Sequence, residues 1–154
     1  MNLTHRKAKI NDLKVIVELL VDDKLGQTRE QYSNDIDKAY VDAFYKINSD
    51  PNQYLMVLEH NEKIIGTCHL TLMPSLTFTG STRMQIEAVR IHADVREQKY
   101  GQRMVELAMD WGKKHNAKIF QLTTNKERPD ALRFYKKLGF KATHEGMKLY
   151  LEQE

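Results

Sequence analysis

The chain has 154 residues, of which 41% are hydrophobic, and this length and composition suit one globular domain with a single core. Its 24 basic and 21 acidic residues give a net charge of +3, which is too weak by itself to indicate binding to nucleic acid. No apolar run approaches the roughly 18 residues that cross a bilayer, and the N-terminus carries no apolar signal segment. We therefore expect a cytoplasmic protein without a membrane anchor, and the single cysteine, which permits no intrachain disulfide, fits that compartment.

The first third of the sequence predicts one strand and two helices. Residues 3–8 favour a short strand, and the helix that follows has apolar residues at helical spacing, namely Leu13, Ile16, Val17 and Leu20. A second helix is predicted to open at 28–31, where Thr-Arg-Glu-Gln has capping-box spacing, and to end before Pro51. Its apolar face consists of Ile36, Tyr40, Ala43, Phe44 and Ile47.

Three strands are predicted next. QYLMVLE (53–59) and KIIGTCHLTLM (63–73) are joined by a short turn, and MQIEAVRI (84–91) follows a loop. In the second of these strands the alternation places Cys68 on an apolar face and His69 on the opposite one. We interpret Cys68 as a core residue.

The rest of the chain alternates between helices and strands. After a polar loop comes a helix whose core-facing residues are Met104, Leu107, Ala108 and Trp111, and then the strand KIFQLTT (118–124). A further helix is predicted to start at Pro129 and to end before Gly139, with Phe140 packing back on Tyr135. FKATHEGMKLYL (140–151) predicts two short strands. The order β-α-α-β-β-β-α-β-α-β-β indicates a mixed α/β sheet of about seven strands.

The loop VREQKYGQR (95–103) lies between a strand and a helix, an arrangement that directs free backbone N–H groups at an anion. The helix dipole alone contributes about 0.3–1 kcal/mol per charge, so a diphosphate also needs several amides or cations. Arg96, Lys99 and Arg103 supply cations, but the loop contains one glycine, Gly101. These residues fit either a diphosphate site or a solvated, basic start of a helix.

IHADVREQKYGQRMVELAMDW (91–111) resembles motif A of the GNAT N-acetyltransferase superfamily, in which Arg/Gln-x-x-Gly-x-Gly/Ala binds the pyrophosphate of acetyl-CoA. Arg96 matches the first position and Gly101 the last, whereas Lys99 stands where the first glycine is usual. Lysine fits there only with a negative φ or at the cost of backbone strain. The resemblance therefore implies an anion loop built from amides and cations together.

RPDALRFYKKLGFKA (128–142) is similar to motif B of the same family, Asn-x-x-Ala-x-x-Phe-Tyr-x-x-x-Gly-Phe. The matching residues are Ala131, Phe134, Tyr135, Gly139 and Phe140. Arg128 replaces the asparagine that typically contacts the pantetheine arm. The two motifs occur in the family's order, with the expected strand between them.

The resemblance implies an α/β GNAT fold, a mixed and mostly antiparallel seven-stranded sheet flanked by about four helices, over a single domain at 1–154. It also implies an enzyme that transfers the acetyl group of acetyl-CoA to a primary amine by direct attack. The cofactor contacts that it implies are Val89, Arg90, Ile91, Arg96, Glu97, Gln98, Lys99, Tyr100, Gly101, Gln102, Arg103 and Arg128. No metal is expected, since His144-Glu145 lacks a second histidine at zinc spacing.

Two side chains are candidates for the chemistry. Glu87, on the strand before motif A, is the candidate base for the amine, and its alternative role is a surface-facing strand carboxylate or a salt-bridge partner of Arg90. Tyr135 occupies the position of the family's general acid, and its alternative role is core packing beside Ala131 and Phe134. The backbone amides of residues 89–91 would hold the thioester carbonyl.

The acceptor is the part that the sequence leaves open. Family substrates include small-molecule amines and protein amines, and a fold does not name a substrate. Asp22 and Asp23 would attract a cationic amine, but Arg29 lies nearby. We expect no nucleic-acid or membrane partner, and a homodimer stays open. A catalytically inactive acyl-CoA-binding regulatory module is the alternative function, because Lys99 and Arg128 both depart from the motifs.

Overall fold

The structure, a computed structural model, describes residues 2–22, 30 and 35–152, and within them the chain forms a five-stranded sheet in the order β1-β2-β3-β4-β5. Strands β1 to β4 are antiparallel to their neighbours, and β5 is parallel to β4. The strands are β1 (Leu3–Lys7), β2 (Gln53–His60), β3 (Lys63–Pro74), β4 (Thr82–Ile91) and β5 (Ala117–Gln121).

Four α-helices of nine or more residues occur in the described ranges. They are α1 (Leu13–Val21), α2 (Lys38–Asn48), α3 (Tyr100–Lys114) and α4 (Pro129–Lys137), with shorter helical turns at Ile10–Asp12, Thr77–Gly80 and Ala93–Gln98. Helix α2 begins at Lys38 because the Asp37 carboxylate accepts a hydrogen bond of 2.7 Å from the Ala39 N–H. Ile36 therefore precedes this helix, and the capping-box segment predicted at 28–31 lies outside the described residues, apart from Glu30.

The two faces of the sheet pack on different helices. One face, which we call the α1 face, packs on α1 and α2 through a cluster of Ala8, Leu13, Ile16, Val17, Phe44 and Val57. The other, the α3 face, carries the larger cluster, which includes Met56, Cys68, Leu70, Met84, Ile86, Met104 and Ala108. Cys68 is 1% exposed, which confirms its predicted place in the core, and burial raises the pKa of its thiol to about 12.

The prediction of seven strands is wrong for the described residues, because residues 141–152 form no strand. The alternating apolar residues Met147, Leu149 and Leu151 are 93%, 86% and 90% exposed. Alternation stabilises a strand only where one face of it is covered, and here the apolar side chains have no surface to pack on. The sheet therefore ends at β5.

Helix α4 ends as the sequence predicts. Gly139 has φ of 101°, and the Phe140 N–H donates to the Tyr135 carbonyl at 3.1 Å. The rings of Tyr135 and Phe140 contact edge to face at 5.8 Å between centroids. Pro129 occupies the first turn of the helix. Across the described residues, no helix is both long enough and apolar enough to cross a bilayer.

Candidate active site

Strands β4 and β5 separate part-way along their length. They pair only between residues 82–85 and 117–121, and the last paired position is marked by a hydrogen bond of 2.9 Å from Gln121 Nε2 to Gln85 Oε1. Residues 86–91 of β4 continue beside β3 but have no β5 partner in the register. The divergence opens a wedge on one side of β4, and the predicted amide donors at 89–91 lie along it.

A β-bulge shapes the part of β4 that borders this wedge. Glu87 pairs with His69 and Arg90 pairs with Thr67, so two residues of β4 occupy the space opposite Cys68. Ala88, inside the bulge, has φ of 53°, a left-handed conformation that costs a non-glycine residue about 1–2 kcal/mol. The bulge changes which side chains face α3: before it Met84 and Ile86 lie on the α3 face, which places Glu87 on the opposite one, and after it Val89 and Ile91 lie on the α3 face.

The motif A loop connects β4 to α3 through the helical turn Ala93–Gln98. Lys99 has φ of 62° and ψ of 19°, so of the two conformations that the sequence allowed, the strained left-handed one is present. It reverses the chain directly before Tyr100, where α3 begins, and leaves the first N–H groups of α3 at the mouth of the loop. That arrangement is the one that binds anions at helix N-termini.

We expect Lys99→Gly to be more stable than Lys99→Ala. Both substitutions remove the charge, but alanine keeps the steric cost of positive φ and glycine removes it. The difference should be about 1 kcal/mol, which corresponds to a gap of roughly 2–4 °C between the two melting midpoints. Thermal unfolding of the two variants without ligand measures it, and equal midpoints would show that the loop relaxes out of the left-handed region.

Arg96 ties the motif A loop to two other elements. Its Nε donates to the Ile91 carbonyl at 3.1 Å, and its Nη2 donates to the Asp22 carbonyl at 3.0 Å and to Asp22 Oδ2 at 3.2 Å. The loop is thus fastened to the end of β4 and to the end of α1. A diphosphate at this loop would therefore compete with the Asp22 carboxylate for the guanidinium of Arg96.

The remaining motif A candidates differ in their exposure. Tyr100 is 4% exposed and packs in the core near His60, so that its backbone rather than its ring faces the loop. Gln102 Nε2 and Arg103 Nη1 both donate to Glu106, on the exposed side of α3, at 3.0 Å and 3.3 Å. Gln98 is exposed. The side chain of Glu97 lies outside the described set.

Tyr135 lies in α4, and its phenol is within electrostatic reach of Cys68, Arg90 and Arg128. Burial raises the pKa of its phenol to about 12; the nearby Cys68 raises it as well, and Arg90 and Arg128 oppose both effects. Its ring contacts the rings of Phe134 and Phe140 edge to face. At neutral pH the phenol carries its proton.

Glu87 and His69 form a pair on the α1 face that the sequence analysis did not recognise. They are direct partners in the β3–β4 register; Glu87 is exposed and His69 is half-buried. His69 Nε2 lies 2.7 Å from Gln53 Oε1 on β2. Burial lowers the pKa of His69 and the charge of Glu87 partly offsets this effect, so the imidazole is neutral at pH 7. The sequence feature that could have revealed this pair is a histidine on the polar face of one strand, next to the strand that carries the candidate base.

A cavity of about 720 Å³ lies between α1 and the motif A loop. Its lining is acidic, with three apolar residues of α1 beside the acidic groups: Val15, Glu18, Leu19, Val21, Asp22, Glu30, His92, Ala93 and Asp94. Asp22 is thus at the cavity, while Asp23 and Arg29 lie outside the described residues. Within those residues no three His, Cys, Asp or Glu side chains are grouped as metal ligands.

Comparison with known proteins decides the family. The profile of the acetyltransferase (GNAT) family matches residues 16–140, most of the chain. The chain belongs to the GNAT acetyltransferase family. The resemblance seen in motifs A and B and the α/β GNAT fold are thereby confirmed, although the sheet has five strands rather than seven in the described residues.

Three proteins similar to this chain, one in sequence and two in structure, differ in their described activities. An aminoalkylphosphonate N-acetyltransferase of Salmonella typhimurium is 28% identical over 116 residues, 75% of this chain and 75% of that protein. The crystal structure of a transcriptional regulator from Bacillus halodurans C-125 is 44% identical, with a TM-score of 0.94, and the match covers 97% of this chain and 100% of that one. AAC(6')-Iy in complex with the bisubstrate analog CoA-S-monomethyl-acetylneamine is 14% identical, with a TM-score of 0.76 and 99% coverage of both chains, and so shares the fold.

Proposed function

We propose that this GNAT protein transfers the acetyl group of acetyl-CoA to a primary amine by direct attack on the thioester. The observation that carries the proposal is the wedge between β4 and β5, bordered by the bulge at Ala88, with the phenol of Tyr135 within electrostatic reach of Arg90 on β4. A binding module needs the anion loop, but it has no need for a protonated phenol near this strand. The bisubstrate analog bound by a protein of the same fold agrees with a CoA site.

The cofactor would bind along the elements that the family motifs mark. The N–H groups at the start of α3, with Arg96, Lys99 and Arg103 around them, would hold the diphosphate. The pantetheine arm would follow β4, where the backbone at 89–91 lacks a β5 partner, and Arg128 would stand beside it. Amides on this strand would hold the thioester carbonyl and the oxyanion that forms from it.

The chemistry then requires two proton movements. An alkylammonium with pKa near 10.4 loses a proton to a base on the α1 face, for which Glu87 is the carboxylate candidate. The amine lone pair forms the C–N bond, and the C–S bond breaks as the tetrahedral intermediate collapses. The nitrogen loses its second proton, and the thiolate, hydrogen-bonded to Tyr135, leaves as the thiol of CoA. The net products are the amide, CoA and one proton.

We expect acetyl-CoA to stabilise the protein against heat. Ligand at about 100 times its Kd contributes about 2.7 kcal/mol, which corresponds to a rise of roughly 5–10 °C in the melting midpoint for a chain of this size. Thermal unfolding with and without millimolar acetyl-CoA measures it, and dephospho-CoA and pantetheine serve as controls for the parts of the cofactor. An unchanged midpoint would contradict the CoA site.

Release of CoA thiol with a panel of amines separates the enzyme from an inactive acyl-CoA-binding module. The panel should contain aminoalkylphosphonates, because of the Salmonella typhimurium relative, together with polycationic amines and lysine peptides, and a buffer-only reaction as the blank. A melting shift with acetyl-CoA but no thiol release above the blank from any of these amines would favour the inactive module. Thiol release that depends on one class of amine would establish the transferase and identify the acceptor class.

A further inference from the structure

A chain of hydrogen bonds fixes which nitrogen of His69 carries the proton. Asp50, in the turn before β2, accepts at Oδ2 from Gln53 Nε2 at 2.9 Å. A carboxylate has no hydrogen to donate, so the nitrogen of the Gln53 amide must face Asp50 and its oxygen must face His69. That oxygen lies 2.7 Å from His69 Nε2 and can only accept. Nε2 is therefore the protonated nitrogen, and Nδ1 of the neutral imidazole is left with a lone pair.

The surroundings of His69, on the α1 face of the sheet, suit a group that takes a proton from the substrate amine. From β2 it meets Gln53, with Asp50 behind it, and from β4 it meets Glu87. Helix α1 packs on β3 and β4, and its buried residues are apolar: Leu13, Ile16, Val17 and Leu19. Among the described residues, Glu87 is the charged group that acts on the imidazole directly. It would attract an ammonium to the position next to His69 and stabilise the imidazolium formed there.

We propose that Nδ1 of His69, directly or through one water, accepts the proton that the acceptor ammonium loses before attack, with Glu87 stabilising the resulting imidazolium. This inference rests on the proposed acetyl transfer and replaces Glu87 by His69 as the receiving group. The N–H bond of the ammonium breaks, its electron pair stays on nitrogen for attack on the thioester, and His69 later returns its proton to solvent. Gln53 and Asp50 act as positioning residues, because they set the tautomer and touch no substrate.

The pH dependence of kcat/KM for the acceptor distinguishes His69 from Glu87. His69→Gln keeps a donor toward Gln53 but has no lone-pair nitrogen, so we expect a loss of about 10²-fold at neutral pH and the disappearance of the acidic limb. Glu87→Gln should keep the limb and move it to lower pH, because the carboxylate that raises the pKa of His69 is gone. Gln53→Glu should move the limb to higher pH. Disappearance of the limb in Glu87→Gln, or its persistence in His69→Gln, would overturn the proposal.

Two further measurements keep a folding defect or a missing acceptor from obscuring the result. The melting shift caused by acetyl-CoA should be the same in His69→Gln as in the parent, because His69 lies outside the cofactor loop. Nitrogen NMR of the imidazole in the parent should show the Nε2–H tautomer above its pKa, whether or not an acceptor is known. An Nδ1–H tautomer would refute the proposal, whereas a parent that releases no thiol with any amine would refute the proposed function instead.

Discussion

Tyr135→Phe should lower kcat and kcat/KM together, by about 10²–10⁴-fold, while the protein melts like the parent and binds acetyl-CoA equally well. The substitution removes one oxygen and keeps the ring, whose edge-to-face contacts with Phe134 and Phe140 have centroid distances of 5.0 Å and 5.8 Å. Loss of an interaction that forms mainly as charge develops on sulfur lowers both kinetic constants and leaves binding of the ground state unchanged.

The pKa of this phenol predicts where in that range the effect lies. Burial raises it to about 12, whereas a thiol usually titrates near 8.5, so complete proton transfer to the departing thiolate is uphill. Tyr135 is then first a hydrogen-bond donor to the developing charge, and loss of one such donor typically costs about 10²–10³-fold. Steady-state kinetics and a melting curve of the variant provide the test. Parental turnover in a normally folded variant would make Tyr135 a packing residue.

Gly66→Ala should lower the melting midpoint by roughly 2–12 °C, the equivalent of about 1–3 kcal/mol of overpacking. Gly66 lies on β3 opposite Ile91, and a Cβ there would stand 2.7 Å from Ile91 Cδ1, 3.0 Å from the Arg90 carbonyl oxygen and 3.3 Å from Met104 Sδ. The isoleucine methyl can rotate away, but the carbonyl oxygen belongs to the strand that borders the wedge. The variant should therefore also bind acetyl-CoA more weakly.

Gly101→Ala is the matched control for this stability effect. Gly101 is the glycine of motif A, yet a Cβ at this position would meet Phe134 at 3.6 Å and Ile91 at 3.7 Å, which are ordinary contacts. Because the residue lies in α3, where alanine is the better helix former, we expect an unchanged or slightly higher midpoint without ligand. If Gly101→Ala unfolded at lower temperature than Gly66→Ala, the close approach at β3 would not be what limits stability.

The sequence by itself determined the elements whose signals are local. Helix α4 with its glycine cap needs only Pro129, Gly139 and the apolar spacing between them, and the hairpin of β2 and β3 needs only alternation on either side of a turn. The family motifs likewise indicated the loop before α3 and Tyr135 as candidates for the site, because each motif is contiguous in the chain. Arg96 and Lys99 could be named as cations from the same few letters.

Only the tertiary structure decided the features that depend on contacts between distant segments. Nothing in the letters around Ala88 requires positive φ, since alanine disfavours it, and the bulge exists because β3 and the core hold the strand in that register. The two C-terminal strands were predicted from alternation that no neighbouring surface covers. From the sequence, His69 is one polar residue of a strand. Its candidate role as a proton acceptor follows only from Gln53 and Glu87, which two other strands place beside it. Such pairings depend on which strands become neighbours, a property of the assembled sheet rather than of any one segment.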